Sequence, residues 1–246
     1  MFMSELFDIV LDSPTGELEE NITTILAEGT IRGFGSWTLD EEGLLTIDGK
    51  GDMPDWGNWP NSNPAPWIAG HRWAMPRFES ITSVHISEGI TSIGAYAFHC
   101  CSITQISIPN SVTKINWHAF SNCDKLTSIR LPSGLTHIGP GAFYDCRSLM
   151  NISLPNSVTH IMSCAFSGCA RLSYIHIPDS VTHIGNQIFF CCFRLREITI
   201  PNSVITVEEK VFQYCENLQK VTMPARFDRL FFKKYYGISK DIVTFY

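Results

Sequence analysis

Nine cysteines and eight histidines are the side chains of this 246-residue chain best able to hold a metal, cross-link it or act as nucleophile and base. Their spacing decides among these chemistries. Cys100, Cys123, Cys146, Cys169, Cys192 and Cys215 follow one another at intervals of 23 residues. Stacked at one position of a repeated unit, they form a column with Cα atoms about 5 Å apart, within disulfide reach. Parallel side chains in a column point the same way, however, so bridging two of them needs distortion. Buried free thiols are expected, because cysteine is small and readily buried. Cys101, Cys164 and Cys191 fall off that column. The vicinal pairs Cys100/Cys101 and Cys191/Cys192 lack the C-x-x-C spacing of a zinc site. His137, His160 and His183 make a second column, with Lys114 and Ser92 at the preceding levels. Three imidazoles on adjacent levels are transition-metal ligands by type. No carboxylate shares their level, and copied polar surface residues with some response to pH are the expectation. The chain contains no G-x-S-x-G elbow, no glycine-rich phosphate loop and no H-E-x-x-H. Asp52 and Asp55, beside Trp56, read as acidic turn residues. No catalytic residue, no metal and no cofactor is expected.

The columns imply an element that repeats. Pro109, Pro132, Pro155, Pro178, Pro201 and Pro224 keep the same 23-residue step, as do Phe120, Phe143, Phe166, Phe189 and Phe212. Phe98 lies 22 residues before Phe120, which places a shorter loop after it. In LTSIRLP (126–132), Ile129 and Leu131 alternate with Ser128 and Arg130, the period of a half-buried strand. Proline then ends a short strand, where its missing N–H is tolerated. SVT-x-I adds a second short apolar alternation, and Gly94, Gly139 and Gly185 lead from it into an A-F segment. Ala165 and Phe166, with their equivalents, fill the interior from a helical or irregular turn. One such coil cannot bury its own apolar edge, whereas stacked coils about 4.8 Å apart form a continuous core. The fold class is therefore a repeat solenoid, β-rich with short helical or irregular turns and capped at both ends.

The wording IPNSVTxIG-xx-AF-xx-C resembles the BspA-like leucine-rich repeats of bacterial and protist proteins, over roughly residues 78–224 and about six units. That resemblance implies a right-handed leucine-rich-repeat coil. SWTLDEEGLLTIDGKGDMPDWGNWPNSNPAPW (36–67) is similar to the stretch that precedes the repeats in that family. Trp37, Leu39, Leu45 and Ile47 are expected to form a hairpin around the DEEG turn, with Trp56, Trp59 and Trp67 covering the first coil. Residues 1–77 are read as an extension and a tryptophan-rich cap, 78–224 as the repeats, and 225–246 as an amphipathic helical cap stopped at Gly237. The resemblance further implies a surface-displayed or secreted protein that attaches to host matrix or other cells.

Charge is uneven along the chain. Residues 1–60 carry 13 acidic and 2 basic side chains, the remainder 11 acidic and 16 basic. No basic run is long enough to imply nucleic acid, and no apolar run of about 18 residues implies a membrane span. The beginning MFMSELFDIVLD lacks the pattern of a signal peptide, and no anchor is visible. If Met1 is the natural start, a cytoplasmic protein is expected, in tension with the resemblance.

The outward positions of the first strand are the candidate contact surface. Most are Ser, Thr, Gln or Asn, and Arg130, Asn151, Tyr174, His176 and Glu197 break that monotony. Tyrosine and arginine are the types that anchor interfaces. The leading expectation is a monomeric, non-enzymatic scaffold that binds a protein through this face, in adhesion or recognition. Two other readings stand beside it: an intracellular adaptor or inhibitor, and an enzyme or carbohydrate-binding protein that uses the tryptophan-rich cap.

Overall fold

The computed structural model describes residues 23–57, 63–68, 80–228 and 236–246. Trp59, the first 22 residues, and 229–235 of the expected C-terminal helix lie outside these. The described chain begins with β1 (Ile25–Ile31), β2 (Gly35–Asp40) and β3 (Leu44–Gly49), joined antiparallel. The β2–β3 turn is held by Asp40, whose carboxylate accepts the N–H groups of Glu42 and Leu44 at 3.0 and 2.8 Å. Gly43 supplies the positive φ of 83° that this turn requires. Trp37 then faces Ile47 and Leu39 faces Leu45, all four buried.

The hairpin also starts the coil. β3 pairs parallel with β5 (Ser83–Ile86), and the next residues, β4 (Gly51–Asp52), pair parallel with β6 (Ile90–Ile93). The cap therefore presents both strands of a preceding rung, which leaves no strand edge of the first coil unpaired at that end.

The second strands of successive coils are β8 (Lys114–Ile115), β10 (His137–Ile138), β12 (His160–Ile161), β14 (His183–Ile184) and β16 (Thr206–Val207). With β4 and β6 they form one seven-stranded parallel sheet. The first strands are β7 (Gln105–Ser107), β9 (Ser128–Arg130), β11 (Asn151–Ser153), β13 (Tyr174–His176), β15 (Glu197–Thr199) and β17 (Lys220–Met223). From β7 to β15 each reads exposed–buried–exposed, the alternation set by the pleat.

The A-F segment is a run of β-turns, not a helical turn. Hydrogen bonds alternate along it: Ala119 N–H closes a turn on Asn116 O, Phe120 N–H crosses to Ala142 O of the next coil, and Ser121 N–H returns to His118 O. Two residues per coil take a left-handed backbone to permit this, for example His118 and Asn122 at φ 52° and 57°. The glycine before the segment serves a different purpose from the one its position suggests. A Cβ on Gly139 would lie 2.8 Å from Ile115 O of the preceding coil, so the residue admits close approach of two backbones.

The phenylalanines stack as a ladder. Phe98, Phe120, Phe143, Phe166, Phe189 and Phe212 are fully buried, with successive ring centroids 5.1, 5.5, 5.5, 6.0 and 6.1 Å apart. Trp67 continues the ladder at the cap: its ring stacks on Phe98 at 6.2 Å, and its Nε1–H donates to Ala97 O at 2.7 Å. Trp37 and Trp56 meet Trp67 edge-on at 6.2 and 5.8 Å.

At the far end Ala225–Phe227 form a 3₁₀ turn, and the tail returns as β18 (Val243–Phe245), parallel to β17. The last described residues thus close the first-strand face with a strand that lies beyond Gly237, where the expected helix stops.

Candidate recognition face

Each candidate residue is placed by the pleat. Arg130 ends β9, Asn151 begins β11, Tyr174 and His176 flank the buried Ile175 of β13, and Glu197 begins β15. All five are exposed. Asn151 pairs in register with Tyr174, and Glu197 with Lys220.

The structure divides them into groups. Tyr174, His176 and Glu197 line one depression of about 180 Å³, together with Thr199, Lys220 and Thr222. A broader depression of about 740 Å³ adjoins it, where Tyr174 and Glu197 meet Arg194, Arg196, Gln219 and Lys220. Arg130 lines a separate hollow with Ser153, Asn110 and Pro155. Asn151 lines none of the three.

Tyr174 is 54% exposed on a paired strand, so its backbone is already ordered and only two side-chain torsions are fixed on binding. Among the described residues, Arg130, Arg194, Arg196 and Lys220 make no ion pair. Lys220 begins β17, in register with Glu197, so strand alternation marks it as outward. Arg194 and Arg196 lie just before β15, and strand alternation alone does not mark them.

The cysteine column is buried and its purpose is visible. Cys123, Cys146, Cys169, Cys192 and Cys215 each donate S–H to the phenylalanine carbonyl of the coil before, at 3.0 to 3.2 Å. Burial pushes all these thiols well up, Cys215 to about 12, so they remain protonated donors. All nine cysteines are free. The first member of the column is Cys101, not Cys100. Cys101 is 1% exposed, whereas Cys100 is half-buried with φ 61°, matching Asn122 and Cys191. The missing residue falls after Cys101, so the interval of 23 from Cys100 to Cys123 is a coincidence of numbering.

The histidine column is a stack. His137, His160 and His183 lie with centroids 4.9 Å apart and rings within 8° of parallel. Thr136, Thr159 and Thr182 each donate a hydroxyl to the threonine carbonyl of the coil before, and each meets the following histidine Nδ1 at 2.8 or 2.9 Å. That hydroxyl proton being spent, Nδ1–H is the donor and Nε2 remains a bare acceptor. Two nitrogens on one metal ion lie at most about 4.2 Å apart, given bonds of about 2.1 Å, and parallel rings at this spacing do not converge. Burial, then the neighbouring His160 and Lys114, holds His137 below the usual imidazole range.

In the cap, the two carboxylates are engaged. Asp52 accepts the Thr91 hydroxyl at 2.7 Å, which lowers its pKa. Asp55 accepts Ala95 N–H at 2.7 Å and Asn116 Nδ2 at 3.0 Å, tying cap to coil. Trp67 is 1% exposed and Trp37 8%, so neither offers an open ring face.

Parallel rungs, an internal aromatic ladder and a buried cysteine hydrogen-bonding to it define a leucine-rich-repeat solenoid. The BspA-type leucine-rich repeat region model matches residues 76–189 and 136–243, with six copies, and the chain belongs to that family. A leucine-rich repeat protein of T. pallidum shares the fold, with TM-score 0.53, 24% identity, and 92% of each chain covered. A leucine-rich cell surface protein of Faecalibacterium prausnitzii is similar over 80% of this chain and 70% of its own, with 25% identity and TM-score 0.46. The pneumococcal vaccine antigen PcpA covers 82% of each chain at 13% identity and TM-score 0.34. A search of curated protein sequences found no match. Repeat scaffolds of this family are generally non-enzymatic and often serve protein binding. Among the described residues no helix is long and apolar enough to cross a membrane.

Proposed function

We propose that this protein is a non-enzymatic recognition scaffold that docks a partner protein on its first-strand face, in adhesion to host matrix or another cell. The site is centred on Tyr174, His176 and Glu197, with Asn151 on the adjacent rung and Arg130 one rung further. The observation that carries this reading is an exposed tyrosine on a paired strand, beside two adjoining depressions and cations that make no ion pair among the described residues. Aromatic and arginine side chains of this kind dominate interface energetics.

The test is capture on immobilised protein from solubilised extracellular matrix and, separately, from cell extract. An Arg130→Ala, Tyr174→Ala, His176→Ala triple variant runs in parallel. A matrix protein retained by the parent and lost by the variant is the expected result. Retention by the variant would move the site off this face. A partner found only in cell extract would replace adhesion with the adaptor role.

A further inference from the structure

Cys100 and Cys191 occupy the same place in their coils. Both are half-buried, both have a left-handed backbone (φ 61° and 58°), and each precedes a buried column thiol, Cys101 or Cys192. They differ in the residue before them, His99 against Phe190. Cys100 Sγ lies 3.2 Å from His99 Nε2, and His99 Nδ1 lies 2.7 Å from Ser121 Oγ. Ser121 donates its hydroxyl proton to His118 O at 3.0 Å. A hydroxyl has one proton, so Ser121 Oγ accepts from Nδ1–H, and the tautomer that remains aims the bare Nε2 at the thiol. Thiol, imidazole, hydroxyl and carbonyl thus form a directed relay, in the order of nucleophile, base and orienting group.

We propose that Cys100 is a reactive thiol, equipped with His99 as its general base, that takes up small soft electrophiles such as alkylating agents and low-molecular-weight disulfides. This site is separate from the recognition face. With iodoacetamide, the S–C bond forms as the C–I bond breaks, iodide leaves, and the thiol proton passes to His99 Nε2 and then to solvent. With a disulfide, Cys100 sulfur attacks one sulfur, the other departs as thiolate, and a mixed disulfide remains. Burial holds His99 below the usual imidazole range and lifts the Cys100 thiol, with Asp124 adding to the latter. The resting pair is therefore neutral, and the proton moves as the new bond forms. Ser121 is fully buried, and Tyr96 meets the His99 ring edge-on at 5.6 Å, so the base is held in place.

The test is timed alkylation of the folded protein by limiting iodoacetamide at neutral pH, with each cysteine followed by peptide mass spectrometry. Cys100 is expected to react at least about a hundredfold faster than Cys191 and Cys164, the low end for a positioned base. His99→Phe gives this coil the residue that the Cys191 coil already carries. It is expected to bring Cys100 to the Cys191 rate while Cys164 and Cys191 keep theirs, which also reports an intact fold. The paired change Phe190→His and Gln213→Ser should accelerate Cys191. Parent Cys100 reacting no faster than Cys191, or an unchanged Cys100 rate in His99→Phe, would overturn the proposal.

Discussion

The inside and the outside of one coil obey the same spacing and opposite rules. Within, Phe120, Phe143 and Phe166 are one residue type in one orientation, their planes within 6° of each other. Outside, the rungs at Ser128, Asn151 and Tyr174 change from coil to coil. Each internal ring has the same ring above and below it, so a smaller side chain opens a void on two sides at once. Each outward side chain meets water, and variation there costs little. Departures from the copied pattern therefore mean different things. On the face they mark chemistry offered to a partner. Inside, Trp67 in place of a further phenylalanine marks where the stack ends.

That contrast is open to measurement. Phe166→Ala should cost about 3–5 kcal/mol in guanidinium unfolding, the range for a buried aromatic. A loss under about 1 kcal/mol would mean that the ladder relaxes around the void and the inner rule is weak. Cys169→Ala removes the donor to Phe143 O and should cost about 1–3 kcal/mol. Cys169→Ser, which keeps a donor, should recover part of this, and equal losses for both would reduce the column to simple packing.

Acid should act on the half-buried His99 and His118 and, less strongly, on the exposed His137. Burial holds His99, His118 and His137 low in the folded state, while the unfolded chain protonates near the ordinary value of about 6.5. Stability is then complete above that value and falls as pH drops through it toward the folded-state values. Melting temperatures at pH 7.5, 6.5 and 5.5 should decline, with a smaller decline in His137→Asn. A flat profile would discount burial of these rings. The smallest stability change belongs to Tyr174→Ala, within about 0.5 kcal/mol of the parent, combined with weakened capture of the partner. A large loss of stability there would place Tyr174 under the inner rule.

The columns were legible because each is enforced by its own copies: proline, phenylalanine and the buried isoleucines identify the solenoid without reference to any neighbour outside it. Cys100 and Cys101 were exchanged because a deletion shifts the count without changing the residue type. The left-handed turn positions were hidden, because Tyr96, His118, Cys164 and Gln187 fill them in most coils and glycine only in some, as at Gly141 and Gly168. β18 was hidden because its pairing partner, β17, is some twenty residues earlier and gives no local signal. On the candidate face, Tyr174 could be read from strand alternation. Its company of Arg194 and Arg196 could not, since both come from the loop before the next strand. The Cys100 relay needed three residues from two coils, and only stacking brings Ser121 to His99.

The register between second strands has an evolutionary consequence. His137 faces His160 as His160 faces His183, and Ile138, Ile161 and Ile184 follow suit. The lower surface of one of these coils therefore matches the upper surface of the others. Excising 23 residues joins two surfaces already made to meet, and duplicating them inserts a floor between two identical ceilings. Array length can drift by whole coils without any compensating substitution, and each added floor brings a fresh, unconstrained pair of outward positions on its first strand.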